Sequence, residues 1–131
     1  MDDVKQSALD ANQAFYQAFN KADITLMKQV WALESSAVCI HPGWDPLVGF
    51  DDIIMSWEGI FKAGEGLEIE LSDMESIVSE DMAWVRCQEN LFSMSLSGVH
   101  ASRVFSTNLF RRIKGRWYMV LHHASSMPQT G

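Results

Sequence analysis

The chain has 131 residues, 47% hydrophobic and 21% charged, with five Trp, seven Phe and eight Met. That length suits one domain with its own core, and the composition excludes a disordered tail or a coiled coil. Seventeen acidic against ten basic residues leave a formal net charge of -7, which argues against nucleic acid and against an anionic membrane surface as partners.

The opening residues Met1 to Gln13 lack the basic patch and apolar core of a signal peptide. No apolar run approaches the roughly 18 residues of a membrane span. Cys39 and Cys87 are the two cysteines, so free thiols in a cytoplasmic protein are expected.

Val4, Ala8, Ala11, Phe15 and Ala18 or Phe19 recur at helical spacing, which predicts a first helix capped by Asp2 or Asp3. Asp23 is a second candidate cap, opening a short helix with Ile24, Met27, Val30 and Trp31 on one face. Ala37 to His41 reads as a short strand in which Val38 and Ile40 oppose Cys39 and His41. The loop Pro42 to Gly49 follows, bracketed by two of the three prolines. Asp51 or Asp52 is expected to begin a third helix with Ile53, Trp57, Ile60 and Phe61 as its stripe, stopped by Gly64 and Gly66.

From Leu67 the period becomes alternating, with Leu67, Ile69 and Leu71 against Glu68, Glu70 and Ser72. Met82 to Leu96 reads as a long strand kinked or bulged near Leu91-Phe92, where its apolar phase changes. Ser102 to Ile113 and Arg116 to Ser125 form a hairpin across Lys114-Gly115. A two-residue turn there pairs Phe110 with Met119, Asn108 with Leu121 and Ser106 with His123. Asn108, His123 and Ser125 then point inward, and Thr107, Tyr118 and His122 outward. A longer loop would swap the faces. Helices segregated from strands predict an α+β fold: three N-terminal helices packed on a strongly curved, mostly antiparallel sheet. The concavity between the layers is a natural small-molecule site.

Ile40-His41-Pro42-Gly43-Trp44, Gly49, Ile54-x-x-Trp57-x-x-Ile60, Met82-Ala83-Trp84-Val85, Arg103-Val104-Phe105 and Trp117 to Ser125 together resemble the SnoaL-like branch of the nuclear transport factor two-like superfamily. The resemblance runs from Ser7 to Pro128 and rests on the order and spacing of these pieces. It implies a single SnoaL-like domain over residues 1–131, a cone of curved sheet closed by helices around a pocket, and a homodimer through the outer sheet face. It implies no single reaction, because the superfamily hosts isomerases, dehydratases, cyclases, epoxide hydrolases and a kinase association domain.

In ketosteroid isomerases the strand-end position followed by Pro looks like the catalytic aspartate. Here it is His41, so that activity is not carried over. An imidazole titrates near neutrality and can serve as a base; the other role open to His41 is to brace the loop. Tyr16 resembles an oxyanion-donor tyrosine of that family, and Asn108, or Thr107, stands nearest its second donor. Against this, Tyr16 also fits a core-edge aromatic. Trp44, Trp57, Glu89 and His123 are the ligand-binding candidates. Trp44 suits a lid or an interface and Trp57 a helix stripe, while Trp84 suits core or dimer face. Glu89 and Arg86 lie on opposite faces of their strand, and the simpler expectation puts both on solvent or dimer face. An inward Glu89 would be a tuned acid. Adjacent His122 and His123 cannot share a metal. No spacing joins His41, His123 and Glu89, so no metal is expected. No nucleophile elbow, phosphate loop or dinucleotide fingerprint occurs, so no cofactor is expected.

Two functions follow. One is a cofactor-free isomerase, dehydratase or cyclase on a small, mostly apolar molecule, with His41 as base and Tyr16 and Asn108 as donors. The other is a non-catalytic ligand-binding or oligomerisation domain resembling the kinase association domain.

Overall fold

The computed structural model describes residues 2–64 and 67–128. In chain order it contains α1 (Asp2–Asn20), α2 (Ile24–Val30), β1 (Val38–Ile40), β2 (Leu47–Val48), α3 (Phe50–Ala63), β3 (Glu68–Val78), β4 (Met82–Ser95), β5 (Gly98–Ile113) and β6 (Arg116–Ser126). The strands form one sheet in the order β2-β1-β6-β5-β4-β3. All neighbours are antiparallel except β1 and β6. Three helices on a mostly antiparallel sheet make the fold α+β, as the periodicity predicts. No helix among the described residues is long and apolar enough to cross a membrane.

The helical stripes pack where expected. Ala8, Phe15, Ala18 and Phe19 of α1 are buried, together with Met27 and Val30 of α2 and Ile53, Ile54 and Trp57 of α3. The Asp23 carboxylate caps α2 by accepting from the Leu26 N–H at 3.1 Å. Trp31 falls just past α2 in extended backbone and bridges to Met119, so it is core without being helical.

The start of α3 and the course of β4 differ from expectation. Neither Asp51 nor Asp52 caps α3. The cap is Gly49, at φ 96° and ψ 146°, and both aspartates sit in the first turn, where their charge faces the positive end of the helix dipole. The Gly49 N–H is held by the Ala37 carbonyl at 2.8 Å, which ties the helix start to the residue before β1. Gly64 ends α3, its N–H returning to the Ile60 carbonyl at 2.8 Å; Gly66 lies outside the described residues. The second difference is in β4, which pairs with β5 without a break from Met82 to Ser95. No register shift falls near Leu91-Phe92, so the bulge that the change of apolar phase suggests is not there. The irregularities lie in the neighbours, between Ser72 and Glu75 of β3 and opposite Leu109-Phe110 in β6.

The β6 irregularity decides which residues face the helices. Lys114 and Gly115 both have positive φ, 51° and 82°, as a tight two-residue hairpin turn requires. Pairing starts as predicted, with Ile113 opposite Arg116 and Phe110 opposite Met119. Val120 is then an extra residue on β6, and Leu109 meets Leu121. Every later pair is displaced by one: Asn108 meets His122, Thr107 meets His123 and Ser106 meets Ala124. His122 is therefore inward and 3% exposed, while His123, Ser125 and Leu121 belong to the outer face. This overturns the predicted faces of all four residues. A bulge adds one residue to one strand and reverses alternation beyond it. The run Met119-Val120-Leu121 is apolar throughout and carries no phase of its own.

Gly49→Ala tests the α3 boundary. An added Cβ would meet nothing closer than the Ser35 carbonyl at 3.8 Å, so the cost is purely conformational. A loss of about 1–3 kcal/mol is expected, read from the denaturant midpoint, against a smaller change for Asp51→Ala.

Candidate functional site

A cavity of about 290 Å³ lies between α1, α3 and the inner face of the sheet. Phe15 and Phe19 of α1, Trp57 and Ile60 of α3 and Leu91 of β4 supply much of its apolar wall. The ionisable residues of the lining are His41, Glu89 and His122. Among the described residues no lysine or arginine lines it.

His41 follows directly on β1, which runs parallel to β6 with Cys39 opposite His122. This pairing brings the two imidazoles into one cavity. His41 is 4% exposed. Its Nε2 lies 2.9 Å from the Ser56 hydroxyl, which itself donates to the Ile53 carbonyl at 2.7 Å. With the hydroxyl proton committed, Ser56 accepts, and His41 carries its proton on Nε2. Nδ1 is then an unprotonated nitrogen without a partner among the described residues. Trp44 and Trp57 each meet the ring edge-on, with centroids 4.7 Å away. Burial lowers the His41 pKa to about 4, so the ring is neutral at pH 7.

Behind the cavity wall runs a buried chain of hydrogen bonds. Asn108 uses both amide protons, one to the Asn12 oxygen at 2.9 Å and one to the Tyr16 hydroxyl at 3.0 Å. Tyr16 donates onward to Glu89 Oε2 at 2.7 Å, and the Ser106 hydroxyl donates to the same oxygen. The Asn108 oxygen is 2.6 Å from His122 Nδ1. The Asn12 amide nitrogen faces the Met74 thioether at 3.8 Å. Reversing the amides would set two acceptors, the Asn12 oxygen and that sulfur, against each other, so the orientation is determined. His122 therefore carries its proton on Nδ1 and leaves Nε2 open. Burial, reinforced by His41 and His123, lowers its pKa to about 3.

Burial pushes the Glu89 pKa up, against the opposing hydrogen bonds from Ser106 and Tyr16. Because Oε2 accepts both of those bonds, a proton on Glu89 resides on Oε1, the oxygen left for a ligand. Burial also raises Tyr16, with the Glu89 charge adding to it, and raises Cys87, which touches the Tyr16 hydroxyl at 3.3 Å, to about 11. Neither is an acid or nucleophile at neutral pH.

The structure thus gathers His41, Trp44, Trp57 and Glu89 around the cavity. Trp44, half-exposed, closes over His41. Glu89 faces inward, contrary to the simpler expectation, while Arg86 is on the outer face in an ion pair with Glu75 at 2.9 Å. Tyr16 and Asn108 are buried but do not line the cavity. Their donors are committed to Glu89, Asn12 and each other, so they position Glu89 and His122 and are not free to meet a ligand. His123 is exposed on the outer face. His122, Ser106, Ser56 and Asn12 were missed as candidates. The inward row Val104, Ser106, Asn108, Phe110 carries a signal for Ser106, a hydroxyl between apolar neighbours. Nothing local marks Ser56.

The chain matches the profile of the SnoaL-like domain over residues 8–130. A Streptomyces avermitilis protein, provisionally named a dehydratase of the NTF2-like family, is 28% identical with a TM-score of 0.90, covering 98% of this chain and 99% of that one. A Thiobacillus denitrificans protein, provisionally named a calcium/calmodulin-dependent protein kinase type II association domain, is 30% identical with a TM-score of 0.81, covering 90% and 93%. The F-box protein SKIP8 of Arabidopsis thaliana is 26% identical over 122 residues, 93% of this chain and 50% of that protein. The chain thus spans about half the length of this curated relative. With its three helices on a six-stranded sheet and a match covering nearly all of its length, the chain belongs to the SnoaL-like domain family of the NTF2-like superfamily.

Proposed function

We propose that this protein binds a small, mostly apolar molecule in the cavity and transforms it without a cofactor, as an isomerase, dehydratase or cyclase with His41 as base. One observation carries this reading: a neutral imidazole with an open nitrogen shares a mostly apolar cavity with a buried carboxyl whose pKa burial raises and whose Oε1 has no protein partner among the described residues. His41 Nδ1 takes a proton from the carbon beside a carbonyl, while Glu89 Oε1–H donates to the carbonyl oxygen as charge develops there. Return of the proton to another carbon completes an isomerisation. Loss of a β-hydroxyl as water, protonated by the His41 imidazolium, completes a dehydration. The name of the Streptomyces relative is consistent with the second outcome.

All of these reactions share the first proton transfer, so hydrogen–deuterium exchange at the α-carbon of 1-indanone in D2O tests it. Exchange accelerated by the protein and reduced about 100-fold or more by His41→Ala is expected. Exchange no faster than in buffer, or unaffected by the substitution, would refute the base assignment. The pH profile adds a second check. His41 works in its neutral form, so the rate should fall as pH drops through about 4. Glu89 works protonated, so a second fall should come on the alkaline side, above the usual carboxylate range. A rate governed by a single group near pH 6.5 would contradict this assignment.

The second reading, an oligomerising domain, is supported by the outer sheet face and is compatible with the first. Val48, Val38, Leu121, Leu109, Trp84 and Ile77 are successive cross-strand partners through all six strands. They form an unbroken apolar row, half-buried in the middle and 55% and 59% exposed at its ends. We propose that a second copy of the chain covers this row. Light scattering should give twice 14.8 kDa, and Leu109→Asp should halve it; a monomeric unsubstituted protein would rule the dimer out.

A further inference from the structure

The hydrogen-bond commitments inside the cavity restrict what a ligand must bring, and this restriction deepens the proposed reading of the same site. His41 and His122 each have one N–H, and each N–H is already given to the protein, to Ser56 and to Asn108. What the two rings offer a ligand is an acceptor nitrogen apiece. Glu89 offers Oε1, because Oε2 is taken by Tyr16 and Ser106. The rest of the lining is aliphatic and aromatic, and it includes the Trp57 indole N–H, a neutral donor buried without a partner among the described residues.

Each ligand class can be weighed against that inventory. An anion would meet two acceptor nitrogens and a carboxyl, with no lysine or arginine in the lining. An ammonium would need Glu89 ionised, in a position where burial favours the neutral acid. A pure hydrocarbon would leave the imidazole nitrogens buried and unmatched, which costs binding free energy. A neutral molecule with a hydroxyl donor satisfies an imidazole nitrogen, and a carbonyl on the same molecule accepts from Glu89.

We infer that the cavity selects an uncharged, largely apolar ligand bearing a hydroxyl group, and that His122 Nε2 accepts from that hydroxyl. His122 is suited to this more than His41. Its ring is fixed by the 2.6 Å bond to Asn108, on the firm wall of the sheet, whereas His41 stands at the mouth beneath the half-exposed Trp44. In the proposed reaction His41 then takes the carbon-bound proton, and His122 orients the β-hydroxyl.

The test uses four probes on one skeleton: 1-indanol, indane, 1-aminoindane and indane-1-carboxylate, titrated against the full chain at pH 7. The expected result is that 1-indanol binds about 10-fold tighter than indane and tighter than both charged analogues. In protein with ¹⁵N-labelled histidine, the His122 spectrum should show the proton on Nδ1, and 1-indanol should shift the Nε2 signal. His123→Ala should leave the preference intact, and His122→Leu should abolish it. The labelled measurement on unsubstituted protein stands even where His122→Leu fails to fold. Equal affinity for indanol and indane, tightest binding of either charged analogue, a proton on His122 Nε2, or a shift at His41 alone would each overturn the inference. These readouts are independent of turnover. Lost discrimination with persistent α-carbon exchange defeats the hydroxyl assignment alone, and the reverse pattern defeats the catalytic reading alone.

Discussion

The side-chain amide of Asn108 is the interaction on which the site depends. It is fully buried, and its two protons and its oxygen bind Asn12, Tyr16 and His122. Those partners come from α1 and β6, so one amide on β5 joins the helix layer to the sheet at the back of the cavity. A buried polar group left unmatched costs about 1–3 kcal/mol, and here each member satisfies the next. The set therefore forms together or not at all. Its orientation dictates which nitrogen of His122 is open and, through Tyr16, which oxygen of Glu89 is open. Chemistry at the cavity wall is set by groups that never reach it.

The same burial inverts the usual order of acid and base. In water a glutamate is the stronger acid and gives its proton to a histidine. In the cavity His41 falls to about 4 and His122 to about 3, while Glu89 rises. Desolvation penalises the charged form of each, and it moves acids and bases in opposite directions. Burial thus opposes the ion pair that the two groups would form in water and favours the neutral form of each, the arrangement that proton transfer on an uncharged substrate needs. The charge of the chain is kept outside: the ion pair of Arg86 and Glu75 lies on the outer face.

Much of this architecture was legible in the sequence because periodicity reports burial. The three helices, the Lys114-Gly115 turn and the inward phase of Asn108 followed from spacing alone. Three things did not. The extra Val120 was invisible because three apolar residues in a row carry no phase, and this one residue exchanged His122 for His123. The inward side of β4 was hidden because Glu89, a charged residue, occupies an apolar row beside Cys87 and Leu91; its partners Tyr16 and Ser106 are 73 and 17 residues away. The start of α3 was misread because the two aspartates look like caps, while the tertiary bond from Gly49 to Ala37 selects the glycine.

The fold leaves the choice of reaction open, since relatives of the same shape carry names as different as dehydratase and kinase association domain. On a shared fold, function is carried by the content of a few inward positions. Along β5 the inward row passes from Val104 through Ser106 and Asn108 to Phe110, and its two small polar groups hold Glu89 and His122, the residues that reach the cavity. The parallel β1, whose Cys39 pairs with His122, then sets His41 just past its end at the same cavity. Polar residues confined to the middle of an apolar wall orient a ligand by its functional group and leave its hydrocarbon body to shape alone. In the proposed reading Phe15, Phe19, Trp57 and Leu91 would select the ligand's hydrocarbon skeleton, and His41, Glu89 and His122 would act on its functional groups. The two sets can change independently on one backbone, as a frame that hosts many functions requires.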